Sequence, residues 1–159
     1  MINNFYVLYK DTTTINYIYL LLLYSSADYN KDTKLFDTIT FNNLQDLTDK
    51  LNKHYCGNTL SKATVSRLLN NKDYEEYFLY NAAEKKITLK NNFRKKAERF
   101  ITISQKEKDF LIKENNNFLA KYYFYLVYYC GFSKSKTTDS TGKQILSIIG
   151  YSESGKNLQ

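Results

Sequence analysis

The sequence lacks proline and tryptophan altogether, and its 159 residues include only five glycines, two cysteines and one histidine. The single histidine, His54, cannot form the histidine cluster that a metal-dependent relaxase with a tyrosine nucleophile requires. A Walker-type glycine-rich loop, an HExxH pair and a carboxylate cluster of polymerase or nuclease type are also missing from the sequence. We therefore expect a protein that is not an enzyme and that holds no metal or other cofactor.

The two cysteines, Cys56 and Cys130, lie 74 positions apart in a sequence that has no signal-peptide pattern. The most apolar run, residues 15–24, starts too late for a signal peptide. It is also shorter than the roughly 20 residues that a helix needs to cross a bilayer. We therefore expect two reduced thiols in a cytoplasmic protein without a membrane segment.

Basic residues outnumber acidic ones, and the excess is concentrated in one part of the chain. The formal net charge is +7, but residues 1–52 carry −2, residues 53–99 carry +6 and residues 100–159 carry +3. Lysine outnumbers arginine 20 to 3, which is also typical of an AT-rich coding sequence whatever the function. Codon bias alone does not concentrate charge in one third of a chain. The distribution therefore favours an anionic partner such as nucleic acid.

Length and composition fit one mid-sized or two small globular domains, because hydrophobic residues make up 43% and charged residues 25% of the chain. Hydrophobic periodicity and turn residues divide the chain into short elements. Strands are predicted at residues 5–9, 37–41 and 100–104, with a β-hairpin at 77–90 that turns at 84–86. Helices are predicted at residues 12–29, 42–55, 59–69 and 140–151, and two more in 105–132 that break near 115–117. Residues 91–100 are predicted as a basic connection, 133–139 as a polar loop and 152–159 as the start of another helix.

The segment TLSKATVSRLL, residues 59–69, has the pattern of an amphipathic helix. Val65, Leu68 and Leu69 form its apolar stripe, and Thr59 or Ser61 can cap its start. Its polar side chains suit DNA, because hydroxyls and lysine bind phosphates and arginine can bind guanine through two hydrogen bonds. The alternatives are an ordinary solvated helix face and a hairpin tip that is basic for solubility alone. The candidate DNA-binding residues are Ser61, Lys62, Thr64, Ser66, Arg67 and Asn70 on this helix, and Lys85 and Lys86 at the hairpin tip.

The predicted order of helix, strand, helix, tight turn, helix and hairpin is that of a winged helix-turn-helix domain. Residues 61–71, SKATVSRLLNN, resemble the recognition helix of many bacterial winged-helix DNA-binding proteins. The segment from FITIS at residue 100 onward resembles the winged-helix segments of replication initiators and replisome organisers. Those proteins come from plasmids and phages of low-GC Gram-positive bacteria, and the KYYFYLVYY helix and the terminal IGYS carry the resemblance.

The resemblance implies an α+β fold, mainly helical with small β-hairpins, built from tandem winged-helix units. The first unit is expected at residues 1–95 and a second, incomplete one at residues 96–159. The implied function is sequence-specific binding of double-stranded DNA in plasmid or phage replication, with a second copy or other replication proteins as partners. The alternatives are a winged-helix transcriptional regulator, a conjugation accessory protein, and a protein-interaction or dimerisation module without DNA binding.

Overall fold

The computed structural model describes residues 4–10, 14–55, 57, 59–90 and 99–131. These residues form an α+β fold, as predicted. It has five α-helices and two small antiparallel sheets, whereas the prediction had only small β-hairpins. The helices are α1 (Tyr17–Ser26), α2 (Leu44–Asn52), α3 (Lys62–Asn70), α4 (Gln105–Glu114) and α5 (Asn117–Gly131). The strands are β1 (Asn4–Leu8), β2 (Asp28–Asn30), β3 (Leu35–Thr40), β4 (Phe78–Asn81), β5 (Lys86–Leu89) and β6 (Phe100–Ser104). A single 3-10 turn, Lys72–Tyr74, joins α3 to β4.

Helix α1 lies at the centre of the core and is apolar on every side. Its residues Leu20 to Leu23 have no exposed surface, and the helix contacts β3, α2, α4 and α5. Asn16 caps it, because the Asn16 side chain accepts a hydrogen bond from the Ile18 N–H at 3.0 Å. A helix buried on all sides matches the solid apolar run that predicts it.

The chain leaves α1 earlier than the sequence predicts. The predicted helix runs to residue 29, but α1 ends at Ser26 and residues Asp28–Asn30 form strand β2. The Ser26 hydroxyl donates to the Leu22 carbonyl at 2.9 Å, and Ala27 is already extended. The prediction was wrong because β2 is fixed by its pairing with β3, which local periodicity does not reveal.

The larger sheet has the strand order β2-β3-β5-β4, and every neighbouring pair is antiparallel. Its inner face packs on the core through Ile39, Phe78, Ile87 and Leu89, all of which are buried. The predicted strand at residues 37–41 and the predicted hairpin at 77–90 are confirmed as β3 and as the β4–β5 pair.

Strand β1 pairs along its whole length with β6, so segments far apart in the sequence form the second sheet. Further contacts join the same parts of the chain. The Tyr17 ring on α1 meets the Phe124 ring on α5 edge-on at 4.7 Å, and the Asn117 side chain accepts from the Tyr17 N–H at 2.9 Å. The predicted boundary between residues 95 and 96 lies outside the described residues, and the division into two domains stays a prediction.

Other predictions also fall outside the described residues. They are residues 91–98 of the basic connection predicted at 91–100, the loop at 133–139, the helix at 140–151 and the helix start at 152–159. Cys56 lies outside them as well, whereas Cys130 on α5 is a half-buried free thiol.

Helix α4 begins with a capping box. The Ser104 hydroxyl accepts from the Glu107 N–H at 3.2 Å, and the Glu107 carboxylate accepts from the Ser104 N–H and from the Tyr123 hydroxyl on α5. Burial alone would raise the pKa of Glu107, but these hydrogen bonds outweigh it and lower the pKa below its usual value. The helix ends at Asn115 in the left-handed conformation, φ 48°, so the predicted break near residues 115–117 is confirmed.

Replacing Glu107 with glutamine is expected to lower the free energy of unfolding by about 1 kcal/mol at pH 7. A lowered pKa in the folded state stabilises the protein above the unfolded-state pKa of about 4.3, and this contribution is lost as the pH falls through the folded-state pKa. The difference between the parent and Glu107→Gln should therefore shrink on acidification. Urea unfolding at pH 7 and at acid pH measures it. Tyr123→Phe removes one hydrogen-bond donor to the carboxylate, so in this background Glu107→Gln should change the free energy of unfolding less. A change in the free energy of unfolding that is the same at pH 7 and at acid pH would contradict the role of the carboxylate.

Candidate nucleic-acid interface

Helix α3 is held by its apolar stripe and by a cap at its start. Val65, Leu68 and Leu69 are buried against the core, as predicted. Ser61 caps the helix, because its hydroxyl accepts from the Thr64 N–H at 3.2 Å and lies 3.0 Å from the Thr64 hydroxyl. The two candidate residues Ser61 and Thr64 are therefore brought together at the start of α3, where they fix the helix.

The remaining candidate residues of α3 lie on its outward face. Lys62, Arg67 and Asn70 are exposed and Ser66 is half-buried, with the exposed Ala63 between them. The Arg67 Nε–H donates to the Ala63 carbonyl at 3.3 Å, so the guanidinium lies along the helix surface. The Asn70 amide likewise donates to the Ser66 carbonyl at 2.8 Å. Because Ala63 presents only a methyl group, another molecule can approach the helix backbone closely at this point.

The positive charge of Arg67 acts on a tyrosine of α1. Burial is the main reason that the pKa of Tyr19 on α1 is raised; the neighbouring Tyr55 raises it further, and the positive charge of Arg67 opposes both.

Asn52, the last residue of α2, sets the connection that orients α3. Its side-chain oxygen accepts from the Leu60 N–H at 2.9 Å, and its amide donates to the Leu60 carbonyl at 3.1 Å. One half-buried side chain therefore satisfies both backbone groups of a buried residue just before α3.

Replacing Asn52 with alanine should lower the free energy of unfolding by about 1–3 kcal/mol, because both Leu60 backbone groups lose their partner. Asn52→Asp keeps the acceptor and loses the donor, so it should be less destabilising. Thermal unfolding followed by circular dichroism compares the two variants. Equal stability of Asn52→Ala and the parent would show that the connection is held by other contacts.

The start of α2 and the outward face of α3 together line an open groove of about 400 Å³. Asn43, Leu44 and Gln45 form one wall, and Lys62, Ala63 and Ser66 form the other. Asn43 and Gln45 are not among the candidate residues predicted from the sequence. Their signal was the run of polar residues in the first turn of the preceding helix, which also serves to cap that helix.

The β4–β5 turn lies close to the start of α2. The Lys85 carbonyl accepts from the Phe41 N–H at 3.1 Å, and Phe41 is only two residues before Asn43 in the groove wall. Lys85 is exposed and adopts the left-handed conformation, φ 50°. The hairpin tip and the groove are therefore joined by a short, fixed segment of backbone.

The prediction that Lys86 lies at the hairpin tip was wrong. The turn is Ala82–Lys85, one position or more earlier than predicted, because the Asn81 side chain accepts from the Glu84 N–H at 3.0 Å and closes the turn there. Lys86 is a residue of β5, paired with Thr40 on β3 and with Asn81 on β4. Of the two candidate lysines, only Lys85 belongs to the tip.

The lone histidine follows the end of α2 and does not line the groove. His54 is exposed after α2, and its pKa is lowered mainly by partial burial and next by the nearby Lys108 on α4. Across the described residues, no three histidine, cysteine, aspartate or glutamate side chains group closely enough to hold a metal ion. No helix in the same part of the chain combines the length and apolar character needed to cross a membrane.

Comparison with known proteins adds no relative with the same arrangement. The chain matches no family model, no curated protein and no solved structure.

Proposed function

We propose that the chain is a sequence-specific double-stranded DNA-binding protein of the winged helix-turn-helix type. In this proposal α1, β3, α2, α3 and the β4–β5 hairpin form the DNA-binding unit, with α3 as the recognition helix and the hairpin as the wing. The observation that carries the proposal is the outward face of α3. It is polar, basic and free of core packing, on a helix whose opposite face is buried.

The chemistry of this face suits a duplex. Lys62, in the first turn of α3, is placed for phosphate, as is Lys85 at the hairpin tip. Arg67 has the planar fork that matches guanine O6 and N7, and the Asn70 amide matches adenine N6 and N7. Both side chains now bond to carbonyls of their own helix, and these single bonds are exchanged for base contacts on binding.

The proposal extends to a biological role and to the rest of the chain. We place the protein in plasmid or phage replication, in the cytoplasm, on the resemblance of residues 100–159 to initiator segments. Strand β6 with α4 and α5 would begin a second winged-helix unit. Transcriptional and conjugative roles would use the same DNA-binding chemistry.

Selection of bound duplexes from a random pool, followed by titration at several salt concentrations, tests the proposal. We expect an enriched sequence and an affinity for it that falls steeply with salt, with a log–log slope of roughly −0.9 for each phosphate neutralised. Failure to enrich any sequence, together with self-association that does not respond to salt, would instead indicate a protein-interaction module.

A further inference from the structure

The outer face of the larger sheet carries an unusual set of side chains. Strand residues alternate between faces, and Asp37 and Ile39 of β3 are buried on the inner side. Phe36, Thr38 and Thr40 therefore point outward. Strand pairing extends this face across the sheet. The outward-facing residues of the four strands are Asp28, Tyr29, Phe36, Thr38, Thr40, Leu79, Asn81, Lys86 and Thr88.

Two aromatic side chains on this face are partly exposed to solvent. Tyr29 on β2 is 53% exposed and Phe36 on β3 is 42% exposed. They are directly paired across the strands, and their rings lie 5.4 Å apart at an angle of 64°. Leu79 on β4, 59% exposed, lies on the same face beyond Thr38 and Thr88. Exposed groups of large apolar side chains commonly mark a binding surface.

Positive charge borders the rings at both ends of the face. The turn that joins β2 to β3 carries the exposed Lys31, two residues after Tyr29, and Lys34, two residues before Phe36. Lys86 lies at the opposite end of the strands. Two exposed carboxylates lie among these lysines: Asp28 on the edge strand β2, next to Tyr29 and paired with Thr38, and Asp32 in the turn. The other carboxylate of these strands, Asp37, is turned inward and accepts hydrogen bonds from Thr33 and Thr38.

We propose that this sheet face binds single-stranded nucleic acid. Tyr29 and Phe36 stack on bases, Lys34 and Lys86 bind phosphates at either end, and the Thr88 hydroxyl offers a hydrogen bond between them. Stacking requires bases with free faces, which a duplex does not present, so the ligand is a single strand. Hydroxyl groups separate the rings from Leu79, so the face lacks the continuous apolar centre that a protein partner would bury. The site is separate from α3 and does not depend on the proposed duplex binding.

Fluorescence anisotropy with a labelled oligothymidylate of about 15 nucleotides, at low salt, tests this site. We expect the parent chain to bind it, and Phe36→Leu, which keeps an apolar side chain and removes the ring, to weaken binding by about 5- to 100-fold. Phe36→Tyr should bind like the parent. Arg67→Ala should leave this affinity unchanged whether or not duplex binding exists, which separates the two proposals.

A charge variant gives a second measurement in case Phe36→Leu alters the fold. Lys34 has φ 60°, which asparagine tolerates, so Lys34→Asn removes the charge without strain. It should weaken binding and make the salt slope shallower by about 0.7. A parent chain that does not bind the oligonucleotide, or full binding by both variants, would overturn the proposal. So would a dimer, seen by sedimentation, that dissociates on Phe36→Leu, because the face would then join two copies.

Discussion

Replacing Phe124 with alanine is expected to lower the free energy of unfolding by about 3–5 kcal/mol, the range found for large aromatic side chains in cores. Phe124 has no exposed surface and meets Tyr17 on α1 from its place on α5. Since whole domains are stable by only about 5–15 kcal/mol, the loss is a large part of the total. Urea unfolding followed by tyrosine fluorescence and by circular dichroism measures it, and both signals should shift together because α1 and α5 share this contact.

Phe118→Ala is the matched control for that substitution. Phe118 lies on the same helix but is 36% exposed, and its described ring contact is a stack on Tyr122 at 6.4 Å. Phe118→Ala should lower the free energy of unfolding by no more than about 1 kcal/mol. If Phe118→Ala and Phe124→Ala were equally destabilising, or if the two signals separated into two transitions, α1 and α5 would not belong to one cooperative core.

Arg67→Ala should weaken binding to the preferred duplex by about 1–3 kcal/mol and binding to random duplex much less, because the guanidinium is proposed to read guanine. Lys62→Ala should weaken both about equally and make the salt slope shallower by roughly one, because its proposed partner is phosphate. Titrations of both variants against the two duplexes at several salt concentrations distinguish the roles.

Stability measurements accompany these titrations. Both side chains are exposed, so each substitution should change the free energy of unfolding by no more than about 0.5 kcal/mol. A folded Arg67→Ala variant that binds the preferred duplex as tightly as the parent would show that α3 does not read bases through this residue.

The elements predicted best from the sequence are those whose structure is determined by neighbouring residues. Val65, Leu68 and Leu69 predicted the buried stripe of α3, because helical spacing alone places them on one face. The break between α4 and α5 was predicted from a run of asparagines, and Asn115 adopts the left-handed conformation there. Of the polar residues of this segment, Ser61, Lys62, Arg67 and Asn70 are exposed as predicted, whereas Thr64 and Ser66 are half-buried.

The features that sequence reasoning missed depend on contacts between distant residues. Strand β2 forms because it pairs with β3, and β1 is held by its pairing with β6. The hydrophobic periodicity of a short segment does not reveal either pairing. The place of Lys86 followed from a side-chain hydrogen bond of Asn81 that fixes the turn one position away from the predicted one. The contribution of α2 to the groove could not be predicted, because it depends on the angle between α2 and α3, which the Asn52 side chain helps to set.

The pairing of β1 with β6 has a consequence for synthesis on the ribosome. Asn4 pairs with Ser104, so β1 is made long before its partner strand. At elongation rates of about 5–20 residues per second, β1 waits for roughly 5–20 s with its backbone donors and acceptors unpaired. Its residues Phe5 to Leu8 are apolar or aromatic, and in this interval they can pair with the same strand of another nascent chain. The yield of folded protein therefore depends on how well nascent chains are kept apart until β6 has been made.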